Sequence, residues 1–342
     1  MRMRQEKQRS KMPLLVGHGY AKLVLLIDGH APARITLPSL ISPAQRQLAG
    51  AIRRVETVAF GNTHWWVGTD ALIARDARTA LNQDRVRDPV FISVLVKGAL
   101  ERLELDGRRV PVETIAQEAF CVTGLPATWS VDRELAQALV ERLRAAARLR
   151  KVRVIAEPLG IVYAALLDND GEIVGDEALQ RGRVAVIDLG HHTLDIAVMQ
   201  RMAPEPDSLA TYQLGTARPL HRLQQRLAAR YDLRELSLFA VDEAVRTGTL
   251  RVGAVREALP SGWDTPLVEN ARSIVKHLEE AWGSGRQFDA ILVGGGGAEV
   301  PALTEAIQAQ FSHAQVLPDG QIAVALGYAR LGRRLGEHAG RA

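Results

Sequence analysis

One cysteine, Cys121, is all the chain has among 342 residues, so neither a disulfide framework nor a cysteine-based zinc site can be built. A reducing compartment, the cytoplasm, is the setting this implies. Neither charge is in large excess. The 43 Lys and Arg stand against 39 Asp and Glu, and a net charge of +4 tolerates a polyanionic partner without indicating nucleic-acid binding. Also missing is an unbroken apolar run near the start. Residues 1–11 carry the positive charge of a signal peptide's first segment, but Gly17, His18, Gly19 and Lys22 interrupt the next stretch of chain, so no secretory core or membrane span is expected. With 47% hydrophobic residues the chain has enough apolar side chain to fill a core, which excludes disorder throughout.

What is present is an alternation of strand-like and helix-like segments. Short apolar runs at residues 14–16, 23–27, 33–37 and 63–67 read as strands, the first two separated by the glycine-bearing turn Gly17-His18-Gly19-Tyr20-Ala21-Lys22. Helical spacing continues over 90–105, then a buried strand near 119–124, an amphipathic helix over 132–149 opening at an acidic cap, and a strand at 152–155. The second half repeats the order, with strands at 184–187 and 195–198 around Leu189-Gly190-His191-His192-Thr193. Helices over 220–230 and 267–280 precede a buried strand at 290–293 that runs into Gly294-Gly295-Gly296-Gly297. Such alternation indicates α/β architecture, and the length favours two domains. The expected boundaries are a basic, disordered tail at 1–12, a first domain at 13–168, an acidic linker at 169–182, a second domain at 183–320 and a C-terminal helix at 321–342 returning towards the first.

The halves are also similar to each other. Leu14-Leu15-Val16-Gly17-His18-Gly19 aligns with Ile187-Asp188-Leu189-Gly190-His191-His192, placing Gly17 on Gly190, and Gly160-Ile161-Val162-Tyr163-Ala164-Ala165 echoes Ala325-Leu326-Gly327-Tyr328-Ala329-Arg330. A turn that carries glycine lets backbone N–H groups approach phosphate oxygens, because no Cβ intervenes. Asp188, at the end of its strand, is suited to holding Mg²⁺ through water, and Thr193 with the amides of Gly190, His191 and His192 can donate to phosphate. Lys22, at the exit of the first turn, adds a point charge.

In order and spacing these segments resemble the actin, heat-shock chaperone and hexokinase superfamily. Gly17 to Lys22 resembles its first phosphate motif, 186–195 its second, and Ile291-Leu292-Val293 with Gly294, Gly295, Gly296, Gly297 and Ala298 its adenosine motif. Glu157-Pro158 with its helix and 325–329 resemble the two connecting helices. Residues 36–39, 122–126 and 326–332 look most like the prokaryotic ParM/StbA actin-like proteins that segregate plasmids. The resemblance implies two ribonuclease-H-like actin-fold domains with a nucleotide cleft between them, ATP or GTP with Mg²⁺, and ATPase activity. It also implies a homopolymeric filament, a DNA-binding adaptor protein and hence indirect contact with DNA. Catalytic roles fall on Glu157, as orienter of the attacking water, and Asp188.

One departure stands out. The first phosphate motif of the family carries an aspartate two residues before its first glycine, where this chain has Leu15, and Asp28 is too far along the returning strand to replace it in register. Loss of such an outer-shell carboxylate costs about 10- to 100-fold in metal affinity or activity. A nucleotide-binding scaffold with little turnover is therefore a second reading, and a small-molecule kinase of the same fold a third. His18, His191 and His192 can serve as phosphate donors, as parts of a transition-metal site with Asp188, or as plain loop residues. Glu157 has the alternative of capping its helix. Trp65, Trp66 and Trp129 read as core or protein contacts more readily than as a base-stacking platform.

Overall fold

In a computed structural model the described residues are 14–16, 19–45, 55–74, 76–79 and 83–338. The chain divides into two compact units, Met1–Val174 with Val324–Ala342, and Gly175–Ala323.

The first unit opens with an antiparallel meander of β1 (Leu14–Val16), β2 (Tyr20–Leu25) and β3 (Ala33–Pro38). As the middle strand, β2 is buried from Ala21 onward, which is why its sequence is apolar almost without interruption. A second sheet joins β4 (Ile41–Pro43), β5 (Val58–Phe60) and β6 (Thr63–Val67), with β6 central. Adjacent strand residues face opposite sides, so Trp65 enters the main core and Trp66 a small cluster with Ala71 and Ala74. Both rings are core, as their sequence context suggested. After α1 (Asp84–Arg87) comes α2 (Phe91–Glu101), whose N-terminal amides at Val90 and Phe91 donate to Asp88 Oδ1 at 2.7 and 3.2 Å. Its residues are apolar on nearly every side, and they are buried accordingly.

A short hairpin of β7 (Glu104–Leu105) and β8 (Arg108–Arg109) leads to α3 (Val112–Glu118) and to β9 (Phe120–Leu125). The expected amphipathic helix is α4 (Arg133–Ala147); Asp132 caps it by accepting from the amides of Glu134 and Leu135, and Arg148 closes it at φ +53°. It is the crossover that parallel pairing of β9 with β10 (Lys151–Ala156) requires. Helix α5 (Glu157–Leu166) comes directly after, its proline lying in the first turn where no amide partner is lost.

Between 169 and 182 the sequence suggested a linker, but the segment is structured. Asp168 Oδ1 accepts from the amides of Asp170 and Glu172, Leu167 bridges Ile173, and α6 (Glu177–Arg181) is capped by Asp176. Acidic and glycine residues here make turns and a cap rather than a solvated tether.

The second unit is built on one sheet containing β11 (Arg183–Leu189), β12 (Leu194–Gln200), β13 (Ala203–Pro204) and β14 (Ala210–Tyr212), with β12 pairing β11, β13 and β14. Helices α7 (Ala217–Tyr231) and α8 (Leu238–Thr247) and the hairpin of β15 (Thr249–Val252) with β16 (Val255–Ala258) enclose a satellite core. Helix α9 (Thr265–Trp282) then leads to β17 (Ala290–Gly294), which pairs in parallel with β11, and α10 (Pro301–Gln310) crosses to β18 (Ala314–Val316). Strands β11, β12 and β17 are buried almost end to end, so both faces of the sheet are covered, one of them by α9 and α10. The last helix, α11 (Gly320–His338), supplies Val324 onward to the first unit, where the backbones of Gly160 and Gly327 meet so closely that a side chain on either would overlap the other helix. The echo between 160–165 and 325–330 thus marks a crossing of two helices.

Candidate functional site

In the second unit the turn between β11 and β12 is closed by the Gly190 amide donating to Thr193 O at 2.9 Å. The chain entering α7 then grips this turn. Amides of Gly215, Thr216 and Ala217 donate to the carbonyls of His192, Gly190 and His191 at 3.1, 3.2 and 2.6 Å, and Gly215 is packed so tightly on the turn that a Cβ would overlap it. His191 lies edge-on to His192 with centroids 5.0 Å apart, and its Nδ1 is 3.4 Å from Thr216 Oγ1. Thr193 is buried, whereas Gly190, His191 and His192 are partly open.

Asp188 is 5% exposed and stands in a row that crosses four strands: Gly294 of β17, Asp188 of β11, Asp195 of β12 and Thr211 of β14. Thr211 donates from Oγ1 to Asp195 Oδ1 at 2.5 Å. Directly opposed residues of an antiparallel pair share a face, so the two carboxylates belong to one side of the sheet. After Gly294 the chain turns at Gly295, φ +85°, where a Cβ would overlap Asp188 Oδ1 and lie 2.6 Å from Leu189 O. Gly297 is required by its approach to Leu189, while the nearest atoms to a Cβ on Gly296 are 3.9 Å away. The two glycine segments of this half, expected from separate motifs, are therefore in contact through Asp188 and Leu189. Ala298 is buried in the same short helical turn, Gly296–Glu299.

This turn is braced by Arg246 of α8, which the sequence did not single out. Its guanidinium pairs with Glu299 and with Asp242, and reaches Gly296 O at 3.5 Å; Glu299 in turn accepts from the Gln321 amide at 3.0 Å. Only packing of α8 brings Arg246 here, and no local spacing signals it.

A magnesium ion suits Asp188, a hard oxygen donor, and Gly295 lacks the Cβ that would otherwise press on Asp188 Oδ1. A transition-metal site does not emerge: among the described residues no group of three or more His, Cys, Asp and Glu is placed to share an ion. His18 and Gly17 lie outside the described residues, as do residues 1–12 of the expected tail.

In the first unit the turn is shorter than its sequence suggested. Tyr20, Ala21 and Lys22 already belong to β2, with Lys22 registered opposite Leu15 on one side and Thr36 on the other; Gly19 alone of the expected turn is described outside the strand. A strand flanked on both sides spends its amides in the ladders, so Ala21 and Lys22 are ladder residues rather than turn donors. Lys22 is 8% exposed. Asp28 forms an ion pair with the buried Arg333 of α11, which gives it a structural partner well away from the register of Leu15.

Glu157 is the first residue of α5 and is 7% exposed. Its Oε1 is 3.8 Å from Nη2 of Arg85, whose side chain is 2% exposed. Gly124 of β9 lies beneath: a Cβ there would overlap the Tyr328 hydroxyl and sit 3.1 Å from Glu157 Cγ.

Two family profiles match the sequence. The N-terminal domain of actin-like proteins matches residues 16–160, and the C-terminal region of the MreB-like archaeal actin homologues matches residues 186–308. The chain has the actin fold and belongs to the actin-like superfamily. A 15-stranded ParM filament protein from Clostridium botulinum superposes with a TM-score of 0.68 at 18% identity, covering 96% of this chain and 99% of that one. The actin-like protein Alp7A gives 0.68 at 15% identity over 97% of this chain and 98% of that one. MreB5 of Spiroplasma citri, solved with ADP, gives 0.67 at 14% identity over 98% and 99%. No curated protein matches the chain in sequence.

Proposed function

We propose that the chain is a nucleoside-triphosphate-binding, filament-forming actin-like protein whose assembly depends on ATP or GTP with Mg²⁺. The observation that carries this reading is the contact between Asp188 and the Gly294–Gly297 turn, where Gly295 is required both by its φ of +85° and by the proximity of the carboxylate. A buried acid beside two glycine turns suits a metal–phosphate group. Phosphate binding is assigned to Gly190, His191, His192 and Thr193, and the nucleoside side to Gly294, Gly295, Gly296, Gly297 and Ala298. The first unit contributes the hairpin from Gly17 to Lys22, with the Lys22 ammonium rather than strand amides as its working group. Bound Mg²⁺ would supply charge neutralisation at the phosphates, with Asp188 as its carboxylate. Glu157 is assigned to accept a hydrogen bond from the attacking water, which makes the protein an ATPase.

In cellular terms the reading is a cytoplasmic filament that segregates a plasmid or other DNA through an adaptor protein, touching DNA indirectly. A ParM filament and an ADP-bound MreB among the fold relatives support it. Head-to-tail contacts whose rotation does not close generate such open polymers. No helix among the described residues is long and apolar enough to cross a membrane. Electron microscopy of the purified protein is the test: filaments are expected with ATP and Mg²⁺ and not without them, and globular particles under both conditions would refute the assignment.

A scaffold with slow turnover is favoured by one observation, the register of Leu15 opposite Lys22, which leaves that cross-strand pair without a carboxylate. Phosphate release measured during assembly separates the two. Release well behind polymer growth indicates the scaffold.

A further inference from the structure

Arg85 is among the largest fully buried side chains of the molecule, and it sits on α1, a helix of only four residues. A guanidinium is costly to remove from water unless an opposite charge and fixed geometry accompany it. Both are present. Glu157 Oε1 lies 3.8 Å from Arg85 Nη2, a charge contact longer than a hydrogen bond, and the guanidinium carbon is 5.8 Å from the centroid of the Trp129 ring.

Neither end of this contact can drift. Helix α1 is tied to α4 because Arg142 donates from Nε to Val86 O and from Nη2 to Arg87 O, each at 3.3 Å, and Val86 itself is buried in the main core. On the other side the stem of Glu157 rests over Gly124, with the Tyr328 hydroxyl occupying the space beside it. Stability alone gives no need for the arginine. Glu157 is already favoured by the N-terminal dipole of α5, and a buried ion pair is often no better for stability than an apolar pair of the same volume. What the arginine adds is a fixed positive charge beside one carboxylate oxygen, which biases the orientation of the carboxylate.

We propose that Arg85 is a positioning residue for Glu157: it pins the carboxylate so that the acceptor offered to the attacking water has one orientation. The inference rests on the assignment of Glu157 made above, and it adds a residue that no motif contains. A role confined to the carboxylate predicts an effect on turnover without an effect on nucleotide affinity, which a general loosening of the unit would not give.

The test compares Arg85→Met, Arg85→Lys, Glu157→Gln and the double variant Arg85→Met/Glu157→Gln in the full chain. Three quantities are read: kcat for phosphate release, the dissociation constant of a non-hydrolysable ATP analogue with Mg²⁺, and the melting temperature without nucleotide. Arg85→Met and Glu157→Gln are each expected to lower kcat about 10-fold or more, with analogue affinity within about 2-fold of the natural chain. Arg85→Lys, a cation without the planar fork, should be intermediate. The double variant should be no slower than Glu157→Gln and should melt higher than Arg85→Met, because it leaves no lone buried charge. Should Arg85→Met fail to fold, Glu157→Gln and the double variant decide: equal kcat upholds the inference, and a further fall beyond about 3-fold overturns it. A folded Arg85→Met with natural kcat beside a slow Glu157→Gln refutes the role of Arg85 alone, as does a parallel loss of affinity. Natural kcat in Glu157→Gln removes the assignment of Glu157 and this inference with it.

Discussion

The two hairpins that open the two units have the same backbone pairing and opposite chemistry. Across the second, the row reads Asp188, Asp195 and Thr211; across the first, the row in the same alignment reads Leu15, Lys22 and Thr36. One presents two carboxylates on one side of a buried sheet, the other a single ammonium. Strand register conserves position but not charge, so a duplicated fold can give one half to a cation and the other to an anion. Under the proposed function this is a division of labour that lets the chain lack the first aspartate: the metal duty is assigned to Asp188, and phosphate neutralisation to Lys22.

The largest effect that would break this picture is expected at Gly295. A valine there would force a β-branched residue to φ +85° and drive its Cβ into Asp188, so Gly295→Val should abolish nucleotide binding and lower the melting temperature, whereas Gly296→Ala, whose Cβ would meet its nearest neighbours at 3.9 Å, should leave both nearly unchanged. Calorimetric titration and thermal melting of the two variants read this contrast. Equal tolerance at both positions would mean that the carboxylate and the turn are not coupled.

Next comes the acidic row itself. Asp188→Ala is expected to lower magnesium-dependent binding and phosphate release by about 10- to 100-fold, and Asp195→Ala far less, because Asp195 is already committed to Thr211. Titrating Mg²⁺ against each variant tests the order. Equal losses would make the pair, rather than Asp188, the metal group.

The reciprocal experiment supplies the first unit with its missing acid. Leu15→Asp is expected to raise turnover by about 10-fold if the absent carboxylate is what limits it. Because Lys22 is registered directly opposite, the new charge has a cross-strand partner, and thermal melting must show the variant folded before its rate is compared. A folded variant with natural turnover would place the limit elsewhere.

The smallest expected effect gauges the second unit far from the row. Arg183 holds the Glu205 carboxyl below its ordinary value of 4.5, through Nε and Nη2 each at 2.8 Å. A depressed carboxyl stabilises above its ordinary pKa and loses that contribution as the pH falls through the lower native value, so the effect of Glu205→Gln should be full near neutrality and fade in acid below the ordinary carboxyl range. Both side chains are substantially exposed, which limits the effect to about 1 kcal/mol or less. Melting curves of the variant and the natural chain from pH 7 down to pH 3 should converge at the acid end.

Much of the fold was legible because it is local. The cap at Asp132, the apolar face of α4, the buried strands β11 and β17 and the similar helical segments at 160–165 and 325–330 each announce themselves within a few residues, through spacing or a single special residue type. Less of the second unit's outer part could be read: α8, the β15–β16 hairpin and α10 were not anticipated, since each is short, ten residues or fewer per element, and carries little periodic signal. The segment 169–182 contains the boundary between the two units, yet it is ordered by turns and a cap rather than being a loose tether. Its acidic and glycine residues match a linker in composition, but each performs a specific turn or cap that only the folded neighbours call for.

From its sequence alone this protein is determined to be a duplicated α/β chain of actin-like type with glycine turns at the ends of buried strands, because periodicity and glycine placement are short-range properties. Tertiary structure alone decided that Asp188 touches Gly295, that Asp195 shares its face, that Lys22 opposes Leu15 and that Arg85 holds Glu157. Those relations join residues through strand register and the packing of distant elements, and spacing along the chain carries no information about which distant side chain closes a given contact.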